Sequence, residues 1–571
     1  MKNRTTILML GAAQFIMVLD STVMNVSITQ VVADLHTTVP MVQTAITAYT
    51  LVMAAFMLTG AKLGDLWGRR RAFTIGLLIY GVGSLTTALS PNVAVLLIGW
   101  SGIEGLGAVL VIPAIAALAA ENYTGRERAL AFALLGGIAG AGAAAGPLIG
   151  GFVTSAWTWR VVFAGETVIV LGVLLFVGRI RDERGGQPVA LDLTGSWLSA
   201  VGMGLSVFGI LKISQWGLFR PIGALTIGGT KITPFGFSAV PFVIATGFAV
   251  LGMFVRWEEH VERRGGTPLL RPDLLRIPQM RSGLFTVVSQ YLILAGTFFV
   301  LPLYLQLVLG KDALQTGLKI LPISVAMMIT ATLGPRLATR RSPRAVVRIG
   351  MAFLFVSIIG VMATISPSLS DVAFAVSLAG FGAGLGLVIS QLGNVVMSAV
   401  PDTRSSEAGG VQGTAQNLGQ SLGTALIGAT LLVGLTTGFH QRVLADQSIP
   451  DNVQQQIVSA TDKGLSMVSK ADAEKIAKES NLPPHEVDDM VALYSDAQIE
   501  ALKRALFIAA LFVFVGLWCA RGLPAEPLPA ADGVAAENGA GSDAGADDAE
   551  LILAGASPAA SPSQQGETHG S

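Results

Sequence analysis

The sequence GAKLGDLWGRRR, residues 60–71, joins two apolar segments through a short loop rich in arginine. Asp65 and Arg69 stand four residues apart, the spacing at which side chains pair on a helix. Gly68 permits a tight turn there, and arginines beside an apolar segment hold a loop on the cytoplasmic side of a membrane. Membrane anchoring alone accounts for the arginines but not for the aspartate and the glycines. The loop therefore predicts a functional connection between two membrane-spanning helices.

The composition of the whole chain also indicates a membrane-embedded fold. Its 571 residues are 52% hydrophobic and 13% charged, and the mean hydropathy is +0.64. A soluble protein carries about 25% charged residues, so this chain has too little polar surface to dissolve as a globule. A spanning helix needs about 20 mostly apolar residues. Runs of this kind predict an all-α membrane protein with fourteen transmembrane helices, near residues 5–29, 41–60, 72–90, 93–119, 129–153, 161–178, 193–213, 239–256, 282–308, 317–335, 345–366, 371–399, 408–436 and 502–520.

Fourteen spans place both termini on one side of the membrane, and the basic residues predict which side. With a cytoplasmic N-terminus, the cytoplasmic loops collect most of the arginines, as the positive-inside rule requires. The apolar run after Lys2 and Arg4 continues past Asp20 without a clear small-residue cleavage site, so we interpret it as an uncleaved first span. Many alanines and glycines, with arginine preferred over lysine, indicate a GC-rich bacterial genome. The prediction is a multi-pass protein of a bacterial cytoplasmic membrane with both termini in the cytoplasm.

Charge and cysteine content exclude several classes of function. The 37 basic and 37 acidic residues give zero net charge, so no overall field favours nucleic acid. Cys519 is the only cysteine, which excludes a disulfide framework and a multi-cysteine metal site. We predict no metal and no cofactor. The sequence shows no catalytic set and no nucleotide-binding loop, which argues against an enzyme and against ATP as the direct energy source.

Three segments interrupt the apolar pattern: a loop that contains residues 225–233, the polar loop 437–501 and the tail beyond residue 521. Residues 225–233 predict a β-hairpin on a Gly-Gly turn within an extracellular loop. The tail beyond residue 521 is acidic, with no lysine or arginine, and is predicted to be disordered. The predicted units are an N-terminal six-helix bundle (1–186), two inserted spans with the hairpin loop (187–262), the first five helices of a C-terminal bundle (263–436), a polar extracellular loop with helical stretches (437–501), the last span (502–521) and the tail (522–571).

Asp20 lies inside the first predicted span, in the sequence LDSTVMNV at residues 19–26. A carboxylate inside a spanning helix costs about 2.5–3.5 kcal/mol on insertion scales. It must therefore face a wet cavity, pair with another group or take up a proton. We interpret Asp20 as a proton-coupling residue, with a structural aspartate capped by neighbouring hydroxyls as the alternative.

The fifth predicted span is rich in glycine. Pairs at 136/140, 142/146 and 146/150 repeat the four-residue spacing that lets helix backbones approach closely. Pro147 removes a backbone donor and bends the helix. Generic helix packing is one interpretation of this pattern, and a conformational role is the other.

Three of these motifs resemble those of one transporter family. Residues 60–71 look like the loop signature of the major facilitator superfamily, with Ala61 where the family has its first glycine. Residues 19–26 resemble the first-span signature of its 14-span drug:proton antiporter branch. The order of residues in the fifth span is similar to the antiporter motif of exporters in this superfamily, which favours efflux over uptake. The residues of that motif are Gly142, Gly146, Pro147, Gly150 and Gly151.

The resemblance implies a fold and a mechanism. The fold is two six-helix bundles around a central cavity, with two extra spans (about 193–256) between them. The bundles rock against each other to give alternating access. The residues implied as a conformational latch between the bundles are Asp65, Gly68, Arg69 and Arg70.

The chain departs from its relatives in the fourth and sixth spans. Residues 97–108 resemble the fourth-span motif, but Ser101 holds the family's arginine position and Glu104 its usual glutamine position. Glu166 stands where relatives often carry asparagine. If the missing arginine tunes proton exchange, Glu104 and Glu166 are candidates to replace it, together with Asp20. A structural role for each glutamate is the alternative.

Polar and aromatic positions predict the lining of a substrate cavity. A polar stripe at helical spacing faces a cavity rather than acyl chains, although hydrogen bonding between helices is the alternative for the C-terminal residues. The candidate lining residues are Phe15, Asn25, Trp100, Tyr291, Phe298, Phe299, Gln391, Asn394, Gln412 and Gln416.

The sequence thus predicts a monomeric, proton-coupled multidrug antiporter of the kind that confers antibiotic resistance. Its partners would be small lipophilic or cationic substrates, protons and the lipid bilayer, with the proton gradient as the energy source. Two other hypotheses remain. One is a dedicated exporter of a single endogenous metabolite or lipid on the same fold, and the other is a non-transporting membrane scaffold or sensor. The latch and antiporter motifs speak against the scaffold, which needs neither.

Overall fold

The computed structural model describes residues 4–526 except 124, 182–189, 222–224, 228–229, 339, 401–403, 447–450, 462–464 and 480–483. Long helices follow one another in the order of the predicted spans. They are α1 (Arg4–Asp34), α2 (Val39–Trp67), α3 (Arg69–Ala88), α4 (Val93–Asn122), α5 (Gly125–Ala156), α6 (Arg160–Phe176), α7 (Leu193–Leu211), α8 (Val240–Arg263), α9 (Pro278–Val308), α10 (Ala313–Ala338), α11 (Pro343–Thr364), α12 (Asp371–Met397), α13 (Ser405–Ala445) and α14 (Pro484–Cys519).

Twelve of these helices are long and apolar enough to cross a membrane. Helix α5 adds a thirteenth if its parts Leu134–Ala143 and Ala145–Ala156, which meet at 44°, form one bent span. Pro147 explains the bend, because a proline ring clashes with the carbonyl four residues before it. Helix α3 is less apolar, since it begins with three arginines and contains several Gly, Ser and Thr residues. The described residues therefore support twelve or thirteen spans where the sequence predicts fourteen.

The helices pack as two groups. Helices α1–α6 contact one another through pairs such as α1–α5, α3–α4 and α3–α6. Helices α9–α14 do so through α9–α13, α10–α12 and α13–α14. Between the groups in sequence, α7 and α8 pair with each other, and α7 also packs on α2 and α13. We call the two groups the N-terminal half and the C-terminal half.

The helix ends lie at two opposite ends of the molecule, which we call the Asp34 end and the Arg69 end. The Asp34 end holds the helix ends at Asp34, Val39 and Ala156, and the Arg69 end holds those at Trp67 and Arg69. The two halves meet along the seams α2–α13, α5–α10 and α1–α9. At the Asp34 end, the backbone N of Leu314 on α10 donates to Ser155 Oγ over 2.9 Å. These seams determine where a pathway between the halves is closed.

Helix ends differ from the predicted spans where polar residues continue a helix. Helix α13 runs to Ala445 and α14 begins at Pro484, so each helix extends beyond its apolar run into polar residues. The predicted extracellular loop 437–501 also contains the short helices Asp451–Thr461 and Lys470–Glu479. Most of the tail predicted to be disordered, residues 527–571, lies outside the described residues.

A small antiparallel pair of strands connects α7 to α8. The strands β1 (Leu225–Ile227) and β2 (Thr230–Ile232) pair with Leu225 opposite Ile232. This position is the one at which the sequence predicts a hairpin. The two glycines of the predicted turn lie outside the described residues.

Two helices contain π-helical segments that the sequence did not predict. They are Leu97–Glu104 within α4 and Tyr304–Val308 at the end of α9. An inserted residue of this kind shifts the side chains that follow it, and such segments are frequent at functional sites. Both segments carry buried polar side chains, which are Ser101 and Glu104 in the first and Gln306 in the second.

Candidate functional site

Three acidic side chains meet inside the N-terminal half: Asp20 on α1, Glu104 on α4 and Glu166 on α6. Their carboxylate oxygens lie within 4.8 Å of one another, and no more than 1% of any of the three residues is exposed. No ion pair among the described residues includes any of them. We call these three residues the acidic cluster.

Asp20 is held by an aromatic pair. The indole Nε1 of Trp100 donates to Asp20 Oδ1 over 2.9 Å and to Oδ2 over 3.1 Å. The ring of Tyr49 stacks on Trp100, with centroids 4.9 Å apart and an interplanar angle of 11°. Trp100 is only 1% exposed, so this predicted cavity residue contacts Asp20 within the N-terminal half. The stack fixes the direction of the indole donor and hence the position of the carboxylate.

Glu166 and Glu104 differ in their hydrogen bonds. Tyr80 Oη and Ser84 Oγ, one turn apart on α3, each donate to Glu166 Oε2 over 3.1 Å. Glu166 Oε1 and both carboxylate oxygens of Glu104 have no hydrogen-bond partner among the described residues. Burying an unpaired carboxylate is costly, and such a group neutralises in place of remaining charged. Glu104 therefore has free capacity to hold a proton or a ligand.

The π-helical segment of α4 assembles this side of the site. Trp100, Ser101 and Glu104 all belong to it. Ser101 donates to the carbonyl oxygen of Ala45 on α2 over 2.8 Å. A methyl group at Gly83 would overlap the backbone of Glu104, so the glycine lets α3 approach α4 closely there. The short Ser101 side chain and Gly83 thus let α4 pack closely against α2 and α3. At this point the site holds the carboxylate of Glu104 and not a long cationic side chain.

The spacing of the cluster limits its charge. The carboxylate oxygens lie within 4.8 Å of one another, and two unit charges at that limit repel by about 3.5 kcal/mol at an effective dielectric constant of about 20. The summed repulsion of three such pairs would exceed the free energy that a typical single interaction contributes to protein stability. A buried cluster of this geometry can exchange protons, and its oxygen donors are also of the type that hard cations prefer.

The predicted latch lies at the Arg69 end. Gly68 has φ +92° at the joint between α2 and α3, a conformation that favours glycine. Arg69 Nη2 lies 3.7 Å from Asp65 Oδ1, and Arg69 Nη1 lies 2.9 Å from Glu121 Oε1 at the end of α4. Arg70 Nη1 donates to the carbonyl of Ile180 over 3.1 Å. The ion pairs of the loop thus tie α2, α3 and α4 within the N-terminal half.

We expect Asp65→Asn or Arg69→Ala to slow turnover about tenfold, an effect within the usual range of conformational couplings, with little loss of substrate binding. The loop lies at a helix end and contains no residue of the acidic cluster. The measurement compares equilibrium binding with the saturated transport rate, and Arg71→Ala, an exposed arginine of the same loop, is the control. A variant that binds poorly but turns over normally would contradict the latch assignment.

The glycines of the predicted antiporter motif pack on two helices at once. Gly142, Gly146 and Gly150 face α1, where a methyl group at Gly146 would overlap the Thr22 hydroxyl and one at Gly150 would press on Val23. Gly151 and Pro147 pack against α10, where a methyl group at Gly151 would overlap the Ala313 carbonyl oxygen. None of the described residues lies within 4 Å of a methyl group built at 136, 137 or 140. The close contacts are therefore confined to the part of α5 near the Asp34 end.

Gly151→Ala is expected to reduce transport at least about tenfold, because its methyl group keeps the α5–α10 seam from closing. Gly137→Ala is the matched control, since it adds the same methyl group to the same helix in open space. The transport rate of both variants is measured at equal expression. Normal transport by Gly151→Ala would show that this seam does not close tightly during the cycle.

The other predicted cavity residues are spread over both halves. Phe15 and Tyr291 are half-buried, Phe298 and Phe299 are buried, and Asn394 is exposed. Asn25 and Gln391 are buried, and Gln391 Nε2 donates to Ser390 Oγ over 2.9 Å. Gln412 and Gln416 are half-buried on α13. Of the predicted site residues, the structure brings together the three acids and Trp100.

Sequence reasoning did not single out three residues that contact the cluster. They are Tyr49, Tyr80 and Ser84. Tyr80 and Ser84 stand four residues apart on α3, and this spacing places two hydroxyl groups on one face of the helix. The signal is weak because aromatic and hydroxyl residues are common in spanning helices.

The chain matches the Major Facilitator Superfamily over residues 10–424. It therefore belongs to that family. It is 28% identical, over 90% of its length, to Multidrug resistance protein Stp of Mycobacterium tuberculosis, of which the match covers 92%. It is 30% identical, over 75% of its length, to Puromycin resistance protein pur8 of Streptomyces alboniger, of which the match covers 81%.

A solved structure shares the fold. It is a bacterial homolog to the human lysosomal transporter Spinster, in an inward-facing and occupied conformation, with a TM-score of 0.55 and 13% identity over 90% of this chain and 95% of that chain. The protein is thus a multi-pass membrane transporter, and its family and relatives are transporters, not enzymes. The family prediction from the sequence is confirmed, and the long helices fit the 14-span drug-transporting branch.

Proposed function

We propose that the protein exports lipophilic, cationic drugs or other toxic compounds in exchange for protons, by alternating access. The observation that carries the proposal is the acidic cluster, three buried carboxylates within 4.8 Å of one another and without an ion-pair partner among the described residues. Spanning helices carry such groups at a cost, and they mark ion or substrate pathways. The residues proposed to carry protons are Asp20, Glu104 and Glu166.

Protonation would remove the electrostatic repulsion among the three carboxylates of the closed cluster. Three ionised carboxylates would repel one another without compensation, whereas protonated ones can share hydrogen bonds. Substrate entering from the cytoplasm or the inner leaflet would displace these protons, and reprotonation from outside would reset the carrier. One proton falling through 100 mV releases about 2.3 kcal/mol, and each pH unit adds about 1.4 kcal/mol. One-to-one exchange with a monovalent cation cancels the voltage term, so a second carboxylate would restore it.

The seams support an assignment of the access state. Close packing of Gly151 against Ala313 of α10 joins the two halves at the Asp34 end, while along α5 none of the described residues lies within 4 Å of a methyl group built at Gly136, Gly137 or Gly140 toward the Arg69 end. The positive-inside rule assigns the arginine-rich Arg69 end to the cytoplasm. On this assignment both termini are cytoplasmic, and this conformation opens toward the cytoplasm of a bacterial cell. We further propose that the transporter works as a monomer in the cytoplasmic membrane.

The substrate class follows from the chemistry of the two halves. Aromatic side chains such as Phe15, Tyr291 and Phe298 would line an apolar cavity, and carboxylates would attract cations. The names of the relatives, a multidrug resistance protein and a puromycin resistance protein, support export of drugs. The second name refers to one compound, which also favours a dedicated exporter of a single metabolite or lipid as the second candidate.

Purified protein in proteoliposomes tests the proposal. The protein is inserted inside-out, and the lumen of the vesicles is made acidic. This pH gradient should drive uptake of a lipophilic cationic dye into the vesicles. Dissipating the gradient with a protonophore should stop it. A panel of unrelated dyes and drugs then separates the two candidates, since a dedicated exporter would transport only one chemical class. Dye movement that ignores the pH gradient would refute proton coupling.

A further inference from the structure

Hydrogen bonds join the two halves at the Asp34 end, and two glutamines from opposite halves make most of them. We infer that Gln43 on α2 and Gln306 on α9 form the polar gate that closes the transport pathway at this end. The inference rests on the proposed alternating access. It adds two residues that belong neither to the acidic cluster nor to the family motifs.

Gln43 crosses from the N-terminal half to α13. Its Nε2 donates to the carbonyl oxygens of Thr424 over 2.9 Å and of Ala425 over 3.4 Å, and the residue is 3% exposed. Gly428, one turn further along α13, leaves the space for the amide, because a methyl group there would overlap it. One turn further toward the Arg69 end, Ser421 Oγ on α13 donates to the carbonyl of Thr47 on α2 over 3.2 Å. The α2–α13 seam is thus bonded in both directions.

Gln306 makes the reverse crossing, from the C-terminal half to α1. Its Nε2 donates to the carbonyl oxygen of Val26 over 2.7 Å, and its Oε1 accepts from the Thr29 hydroxyl. The residue is 6% exposed and belongs to the π-helical segment Tyr304–Val308. The departure from regular helix turns its amide toward α1. Both polar atoms of the side chain are therefore used across the α1–α9 seam.

One gate contact is connected along a helix to Asp20 of the acidic cluster, and the other to the aromatic stack that holds Asp20. On α1, Val26 is six residues beyond Asp20, and on α2, Gln43 is six residues before Tyr49, whose ring stacks on Trp100. Six residues of α-helix span about 9 Å, and both steps lead toward the Asp34 end. A shift of α1 or of the Tyr49–Trp100 stack on proton exchange would therefore reach each glutamine through one rigid helix.

The chemistry of the gate suits repeated opening. Amide-to-carbonyl hydrogen bonds are neutral, and their net contribution is small because water replaces them on exposure. The carbonyls of Val26, Thr424 and Ala425 belong to helix interiors, so they keep their helical hydrogen bonds when the amide leaves. Opening leaves no buried charge behind, in contrast to breaking a buried ion pair.

A disulfide between the halves tests the gate. In a Cys519→Ser background, Ser155→Cys and Leu314→Cys place one cysteine on each side of the α5–α10 seam, where Leu314 N lies 2.9 Å from Ser155 Oγ. Oxidation in detergent, without a pH gradient, should cross-link the closed end rapidly. Gln43→Leu and Gln306→Leu keep the side-chain volume but cannot donate, and each should slow cross-linking about tenfold.

Gln441→Leu is the matched control, since Gln441 is an exposed glutamine on α13 at the same end. It should cross-link at the background rate. Wild-type cross-linking rates in both Gln43→Leu and Gln306→Leu, with unchanged melting temperatures, would overturn the gate. If a leucine variant does not fold, Gly428→Ala takes its place, because its methyl group displaces the Gln43 amide and should slow cross-linking likewise. An unchanged rate in folded Gly428→Ala would also overturn the gate.

The outcome is separate from that of the proposed proton coupling. Cross-linking reports only whether the two halves close at the Asp34 end, whatever ion drives the cycle. Slowed cross-linking together with transport that ignores pH would support the gate and refute proton coupling. Unchanged cross-linking together with pH-driven transport would do the opposite.

Discussion

Asp20→Asn is expected to abolish pH-driven accumulation of substrate while leaving a folded, membrane-inserted protein. Asparagine keeps a carbonyl oxygen that can accept the hydrogen bond from Trp100 Nε1, which spans 2.9 Å in the native protein. It has no proton to exchange in the working pH range. With one proton exchanged per neutral substrate, each pH unit sustains about a tenfold concentration gradient. The variant should sustain none.

The measurement is the steady-state substrate gradient in proteoliposomes at several imposed pH differences. Asp371→Asn is the control, because Asp371 is a 68% exposed carboxylate at the start of α12, away from the cluster. Binding of a neutral substrate should be similar in the two variants. A wild-type gradient in Asp20→Asn, at equal amounts of folded protein, would remove Asp20 from the coupling role.

Much of the fold could be predicted because long apolar runs are unambiguous in lipid. Hydropathy located every long helix, but it misjudged α14, where the polar turns from Pro484 onward extend the helix beyond the apolar run. It also predicts α3 as a span, and this prediction stays open because three leading arginines and small polar residues make α3 less apolar than the others. Composition identifies what enters the membrane and says less about where a helix ends.

The candidate site was predictable in its residues but not in its assembly. A charge inside an apolar helix is conspicuous, so Asp20, Glu104 and Glu166 could be singled out one by one. Their meeting depends partly on the π-helical segment Leu97–Glu104, which a regular 3.6-residue period does not predict. The same holds for Gln306, whose crossing to α1 depends on the second π-helical segment.

The double variant Glu104→Gln/Glu166→Gln is expected to lose pH-driven transport while passive, downhill exchange of substrate persists. Both glutamates are buried in the acidic cluster. Glutamine keeps an oxygen that can accept from Tyr80 and Ser84, so the packing around Glu166 should survive. The gate and the latch lie at the two ends of the bundle and remain intact, which is why downhill exchange continues.

One neutral and one cationic substrate distinguish the roles that the two glutamates could play. If they carry protons, pH-driven transport of both substrates is lost. If they bind cationic substrate, only the cation binds more weakly, and the neutral compound is spared. If they are structural, expression falls while transport per folded molecule is unchanged. Glu474→Gln provides the reference for expression, because Glu474 is a partly exposed glutamate paired with Lys478 outside the long helices. We expect the first result, because Asp20 alone already supplies one negative charge for a cation. In addition, the described residues offer the Glu104 carboxylate no hydrogen-bond partner, so this group is better suited to accept a proton than to remain ionised. Unimpaired pH-driven efflux of both substrates by the double variant would refute this role for Glu104 and Glu166.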